Sequence, residues 1–125
     1  MNSLLFILIM STFSINSNSI REISATQVDG QLNLSWTIDI NEDAVYAKIE
    51  RSLYMDNYEV IGRVKLDSNT PNYSFVDKAP YLGESHYRIA IIDKDGNKKY
   101  SAPITIEVRN DKEVEIQTGS KWKGR

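Results

Sequence analysis

Apolar and polar residues alternate with a period of two, in short runs, through most of this chain, and that pattern restricts the fold more than any other feature. Leu32, Leu34, Trp36 and Ile38 alternate with polar partners, as a strand with one buried face requires. The pattern returns at Val45, Ala47 and Ile49, ending in the polar Glu50-Arg51-Ser52. It returns again at Tyr58, Val60, Ile61, Val64 and Leu66, with a bulge expected near Gly62. Tyr73 and Phe75 alternate briefly before Asp77; Tyr87, Ile89 and Ile91 form a cleaner run; Ile104, Ile106 and Val108 close the set. Turn residues separate the runs: Asp29-Gly30, Asn41-Glu42-Asp43, Met55-Asp56-Asn57, Asp67 to Pro71, Pro80 to Gly83, and Asp93 to Gly96. Asp29-Gly30 and Asp95-Gly96 are dipeptides that tight hairpins prefer, because glycine accepts positive φ without cost. No helical periodicity of useful length competes with this reading. The expectation is an all-β fold of about seven strands, a sandwich or barrel.

The ends of the chain differ from this central region. Leu4 to Met10 read LLFILIM, an apolar run the length of a signal-peptide core and far short of the roughly 18–20 residues that span a bilayer. Small polar residues follow, and Ser17 and Ser19 place a cleavage site just before Ile20. Residues 1–19 are therefore expected to be a signal peptide, with no part in the core. Residues 110–125 read as a C-terminal extension, in which Val114 and Ile116 alternate with Glu113, Glu115 and Gln117 as a short added strand would. Trp122, flanked by Lys121 and Lys123, is the apolar anchor of that tail.

Composition removes several function classes. The 125 residues contain no cysteine, which excludes disulfides, thiolate metal sites and cysteine nucleophiles. A formal net charge of −2 gives no long-range attraction to nucleic acid or anionic lipid. No nucleic-acid partner and no stable membrane insertion after signal cleavage are expected.

A set of short motifs then falls in a fixed order: LSWT at Leu34–Thr37, Glu42 in the next turn, IERS at Ile49–Ser52, and Tyr58 with Ile61 and Gly62. YSFVD at Tyr73–Asp77, P-x-x-G at Pro80–Gly83, YRIAIID at Tyr87–Asp93, DG at Asp95–Gly96 and YS at Tyr100–Ser101 complete it. In order and spacing this segment resembles the fibronectin type III-like modules of exported Bacteroidetes proteins. The resemblance implies an immunoglobulin-like β-sandwich over residues 20–109, with Trp36 at its centre. It implies a tyrosine corner after Pro80-x-x-Gly83, a position for which both His86 and Tyr87 are candidates. Ala47 stands where such modules often carry a large aromatic, and Tyr46 or Tyr54 is expected to refill that volume. Modules of this kind serve as spacers, adhesion surfaces or accessory domains.

The residues that could carry chemistry point to a non-catalytic chain. His86 is the only histidine, so a triad or a histidine metal site lacks its partners. Asp93-Lys94-Asp95-Gly96-Asn97 has alternate oxygen ligands but lacks the later bidentate glutamate of a calcium loop, and a hairpin turn explains it. Glu42 with Asp43, and Asp77 with Glu84, read as solvated turn carboxylates rather than a glycosidase pair. No catalytic, cofactor-binding or metal residue is assigned, and no cofactor is expected. Of the seven tyrosines, Tyr73, Tyr87 and Tyr100 are expected to be structural. Tyr54 and Tyr81 lie in turns and, with Trp122, are the candidate binding residues. The expected function is an exported module, in periplasm, cell surface or medium, that binds an envelope protein or a glycan or acts as a spacer. The alternative is a component of a secretion or envelope assembly joined through an edge strand, which the alternation of residues 113–117 motivates.

Overall fold

The computed structural model describes the backbone of Phe6–Ile9 and residues 20–39, 43–67 and 69–110. The strands are β1 (Phe6–Ile9), β2 (Ile20–Val28), β3 (Gln31–Ile38), β4 (Ala44–Ser52), β5 (Glu59–Lys65), β6 (Asn72–Asp77), β7 (Gly83–Asp93), β8 (Lys98–Tyr100) and β9 (Ile104–Val108). They form two antiparallel sheets, ordered β1-β2-β3-β6 and β5-β4-β7, with β8 and β9 both pairing along the free side of β7. Pro103 lies in the break between β8 and β9, where its missing N–H interrupts no ladder. Counting β8 and β9 as one interrupted strand, residues 20–109 hold the seven strands the alternation requires.

The alternation does place one face of each strand in a shared core. Ile23, Ala25, Leu32, Leu34, Trp36 and Ile38 come from the first sheet, and Ala47, Ile49, Tyr87, Ile89, Ile91, Ile104 and Ile106 from the second. Burying each aliphatic of this size contributes about 1.5–3 kcal/mol. Trp36 is the largest of the fully buried side chains, as expected for the centre of the sandwich. Tyr46 and Tyr54 do not refill the space beside Ala47. Tyr46 faces the opposite side of β4, and Tyr54 is 79% exposed.

The turns follow their glycines, with one difference. Asp29 (φ 52°) and Gly30 (φ 80°) form the two-residue β2–β3 hairpin, and positive φ at both positions is the type I′ geometry that matches strand twist. Asp95-Gly96 sits instead in a four-residue loop, 94–97, because the last β7–β8 ladder pair is Ile92 with Lys98 and the Asp93 N–H then bonds the Asn97 carbonyl at 3.0 Å. The Asp93 carboxylate closes that loop by accepting the Asp95 and Asn97 backbone N–H groups at 2.9 and 2.8 Å. The bulge near Gly62 is present: Ile49 pairs with Gly62 and Glu50 with Val60, leaving Ile61 as the extra residue.

Part of the apolar run near the N-terminus is paired in a sheet. Phe6–Ile9 pairs antiparallel with Ser24–Gln27 and forms the outer strand of the first sheet. A short aliphatic run satisfies a signal core and a strand equally well, and an unpaired β2 edge is a template for either kind of neighbour. Among the described side chains the core still begins at Ile20.

Candidate functional site

The residues that do not face the core of the second sheet form a second, smaller assembly on its outer surface. Cross-strand register places them in rows: Lys65, Tyr46, Ile92 and Lys98, then Arg63, Lys48, Ala90 and Tyr100, then Val60, Glu50 and Arg88. Ala90 and Ile92 are buried yet do not belong to the inter-sheet core. Their cover comes from the long side chains around them, whose aliphatic stems lie along apolar surface while their charges stay in water. The Arg88 guanidinium is stacked between two phenol rings, 3.9 Å from the centroid of Tyr58 and 4.1 Å from that of Tyr100. Its Nε donates to Glu50 Oε1 at 2.7 Å, so the one carboxylate in these rows is already paired. Arg63 lies 5.4 Å over the Tyr46 ring. Lys48, Arg63, Lys65 and Lys98 take part in none of the described ion pairs. Burial pushes the Tyr58 phenol above its ordinary value, against the pull of Arg88, and its hydroxyl has no hydrogen-bond partner among the described residues.

A different cluster holds one end of the sandwich. The Tyr87 hydroxyl donates to Asp77 Oδ2 at 2.7 Å; the same carboxylate accepts Arg51 Nη1 at 2.9 Å and the Ala79 N–H at 3.1 Å. Arg51 continues to Glu59 and lies 4.0 Å over the Tyr81 ring, whose hydroxyl also reaches Glu59. Burial, and then the bond to Asp77, push the Tyr87 phenol well above its ordinary value. The Arg51 guanidinium and the Tyr81 hydroxyl hold the Glu59 carboxyl below its own. Both carboxylate oxygens of Asp77 are committed, tying the β6–β7 connection to β7 and to Arg51 of β4. Asp77 is thus a buried, paired carboxylate and not the solvated turn acid expected, while Glu84 is exposed opposite Glu107. The partner of Glu42 in the other acid pair, Asp43, binds Lys94 at 3.2 Å, and Glu42 itself lies outside the described residues.

Of the two candidates for the corner position, Tyr87 turns inward and its hydroxyl meets the Asp77 carboxylate rather than backbone, while His86 turns to the other side of β7 and bonds Thr105 at 3.0 Å. The phenol that bonds back to backbone is Tyr73, which accepts from the Asp67 N–H and donates to the Asp67 carbonyl, both at 2.9 Å. Of the candidate binding residues, Tyr54 stands exposed in the turn after β4. Tyr81 is half-buried and occupied by Arg51 and Glu59. Trp122 lies outside the described residues, as do residues 113–117. Tyr100, expected to be structural, is 47% exposed on the outer face. Sequence reasoning passed over Tyr46, Tyr58 and Tyr100 as a group because only strand register brings them to one surface. A cleft of about 250 Å³ lies elsewhere, lined by Gln27, Leu82, Val108 and Arg109 among others, with no carboxylate in its lining. Among the described residues no cluster of three or more histidines and carboxylates is placed to hold a metal.

Fold and face together define an all-β protein of two antiparallel sheets packed as a sandwich. No family model matches the chain, and no curated protein matches it. The chain is similar in structure to pectate lyase Pel3 from Pectobacterium carotovorum, with a TM-score of 0.52 and 18% identity, over 69% of this chain and 26% of that one. The chain thus corresponds to about a quarter of that enzyme's length, and the likeness concerns the fold.

Proposed function

We propose that this chain is an exported, non-catalytic binding module of the fibronectin type III kind, and that it binds through the outer face of its second sheet. The order of pairing supports the type. With β1 set aside, the first, second and fifth strands share one sheet, and the third, fourth, sixth and interrupted seventh share the other. Immunoglobulin-like sandwiches distribute their strands between sheets in a closely similar way. The observation that carries the function is the face itself. The Arg88 guanidinium stacked on Tyr58 and the exposed Tyr100, beside four cations that take part in none of the described ion pairs, are groups a sandwich does not need for its own core. Glycans and proteins are the partners such a face suits.

The test uses the full chain expressed in a diderm bacterium. Cell fractionation with N-terminal sequencing is expected to find it outside the cytoplasm with a new N-terminus near Ile20. Cross-linking, co-purification and a panel of neutral and acidic polysaccharides then look for a ligand. Retention of one ligand class supports the module; turnover of any panel glycan, or a monomer that retains nothing, overturns it.

A second reading rests on a separate observation. The Ser24–Gln27 edge of β2 already accepts a four-residue apolar strand, so removal of residues 1–19 would leave an open edge for a partner's strand in an envelope assembly. Recovery of one envelope protein in fixed ratio would favour that reading.

A further inference from the structure

Resting on the binding-face reading above, we propose that the ligand of this face is an acidic polysaccharide, a chain of hydroxylated rings bearing regularly spaced carboxylates. The chain as a whole carries a net charge of −2, yet Lys48, Arg63, Lys65 and Lys98 collect in adjoining rows whose single carboxylate, Glu50, is bonded to Arg88, while the other described carboxylates of this face, Glu84 and Glu107, are opposed at the far end of β7. The arrangement is costly to the free protein. Lys48 and Arg63 are directly opposed across the β4–β5 ladder, and like charges in that position destabilise a sheet. Local rules broken without an internal gain mark functional positions. An anionic polymer relieves that repulsion, and its charges would meet cations set about 5 Å apart between strands and about 7 Å apart along them.

The phenols decide which kind of polyanion. Tyr58 and Tyr100 have ring faces occupied by Arg88, and Tyr46 has Arg63 over it. One face of each ring is thus already taken by a guanidinium, which leaves less aromatic surface on which a nucleic-acid base could stack. Tyr100, 47% exposed, offers a fixed ring edge to a sugar beside cations that meet carboxylates, whereas the Tyr58 hydroxyl is buried. The surface is the outer face of an open sheet, in keeping with a polymer that is held along its length.

The experiment is affinity electrophoresis of the full chain through gels containing alginate, dextran, polyglutamate or duplex DNA. Retardation by alginate at physiological salt, and not by dextran, is the expected result. Lys48→Glu is expected to weaken alginate retention about tenfold while leaving the thermal midpoint unchanged or higher, because the new carboxylate faces Arg63. Lys78→Glu, the same charge change in an exposed loop after β6, is expected to have an effect of about twofold or less. Equal retardation by polyglutamate or DNA overturns the proposal by showing simple ion exchange. Retardation by dextran alone overturns the acidic ligand but leaves the binding module standing. Retardation by none of the polymers overturns the acidic ligand too, and the broader panel decides the module.

Discussion

Replacing Tyr87 with phenylalanine removes one oxygen from the end of the sandwich and nothing else. The ring is 1% exposed and packed in the core, so phenylalanine keeps the volume and opens no cavity large enough to matter. What is lost is a 2.7 Å hydrogen bond from the phenol to the Asp77 carboxylate. Hydrogen bonds to charged groups contribute about 1.5–3 kcal/mol net. Asp77 keeps Arg51 at 2.9 Å and the Ala79 N–H at 3.1 Å, so its charge is not orphaned and the cost belongs at the low end, about 1.5 kcal/mol. In urea, with a slope of about 1–2 kcal/mol/M for a domain of this size, the unfolding midpoint should fall by about 1 M. Asp77→Asn should cost more, because Arg51, with a side chain only 11% exposed, loses its buried partner and retains Glu59. The two changes combined should cost less than their sum, since both remove the same bond. A Tyr87→Phe midpoint within experimental error of the parent, or strict additivity with Asp77→Asn, would refute the account of this corner.

Two further outcomes follow from single features. Gly62→Ala puts a β-carbon 2.2 and 2.4 Å from two ring carbons of Phe75, so the ring must move; a loss of about 1–3 kcal/mol is expected in thermal or urea unfolding, largely relieved in the Gly62→Ala/Phe75→Leu double variant. Stability should also vary with pH at both extremes. Tyr58 and Tyr87 are raised in the folded state, so their contribution is full below the ordinary phenol value of about 10 and is lost as pH rises above it, a loss that Tyr87→Phe should reduce. Glu59 and Asp93 are lowered, so theirs is present above the ordinary carboxylate range of about 4 and is lost as pH falls through and below it; urea midpoints measured across the range check both signs.

What could be read from the sequence was whatever depends on neighbours in the chain. Alternation at Leu32–Ile38 and Tyr87–Ile91 identifies core faces because the strand period is two, and Asp29-Gly30 identifies a hairpin because both residues tolerate positive φ. The Asp95-Gly96 loop is longer than the dipeptide suggests because the register of β7 and β8 ends earlier, at Ile92 and Lys98. The face proposed for binding was hidden for a related reason. Tyr46, Tyr58, Arg88 and Tyr100 are far apart in sequence and meet only through pairing of β4, β5, β7 and β8. The signal available was the outward half of each alternation: Lys48 and Glu50, Arg88 with Ala90 and Ile92, Lys98 and Tyr100. Turn residues such as Tyr54 and Tyr81 stand out in the sequence instead, because loops usually carry function. Tyr81 is instead held inside an ion-pair network.

A simpler account of the surface cations has to be set against a binding role. Lysine on an outer strand discourages a sheet from pairing with another copy, and Lys65 on β5 and Lys98 on β8 stand on such strands. Arg63, also on β5, could be counted with them. Edge protection has no use for Lys48, which lies on β4 between β5 and β7, where both sides are already paired. Nor does it account for Arg88, fixed between two tyrosines in the middle of the sheet. Solubility does not require Lys48 either, since a glutamate there would keep the surface charged and would relieve its repulsion with Arg63. The central lysine therefore separates the two accounts. Edge protection makes it replaceable at a gain in stability, and a polyanion ligand makes it the residue whose replacement costs binding in spite of that gain.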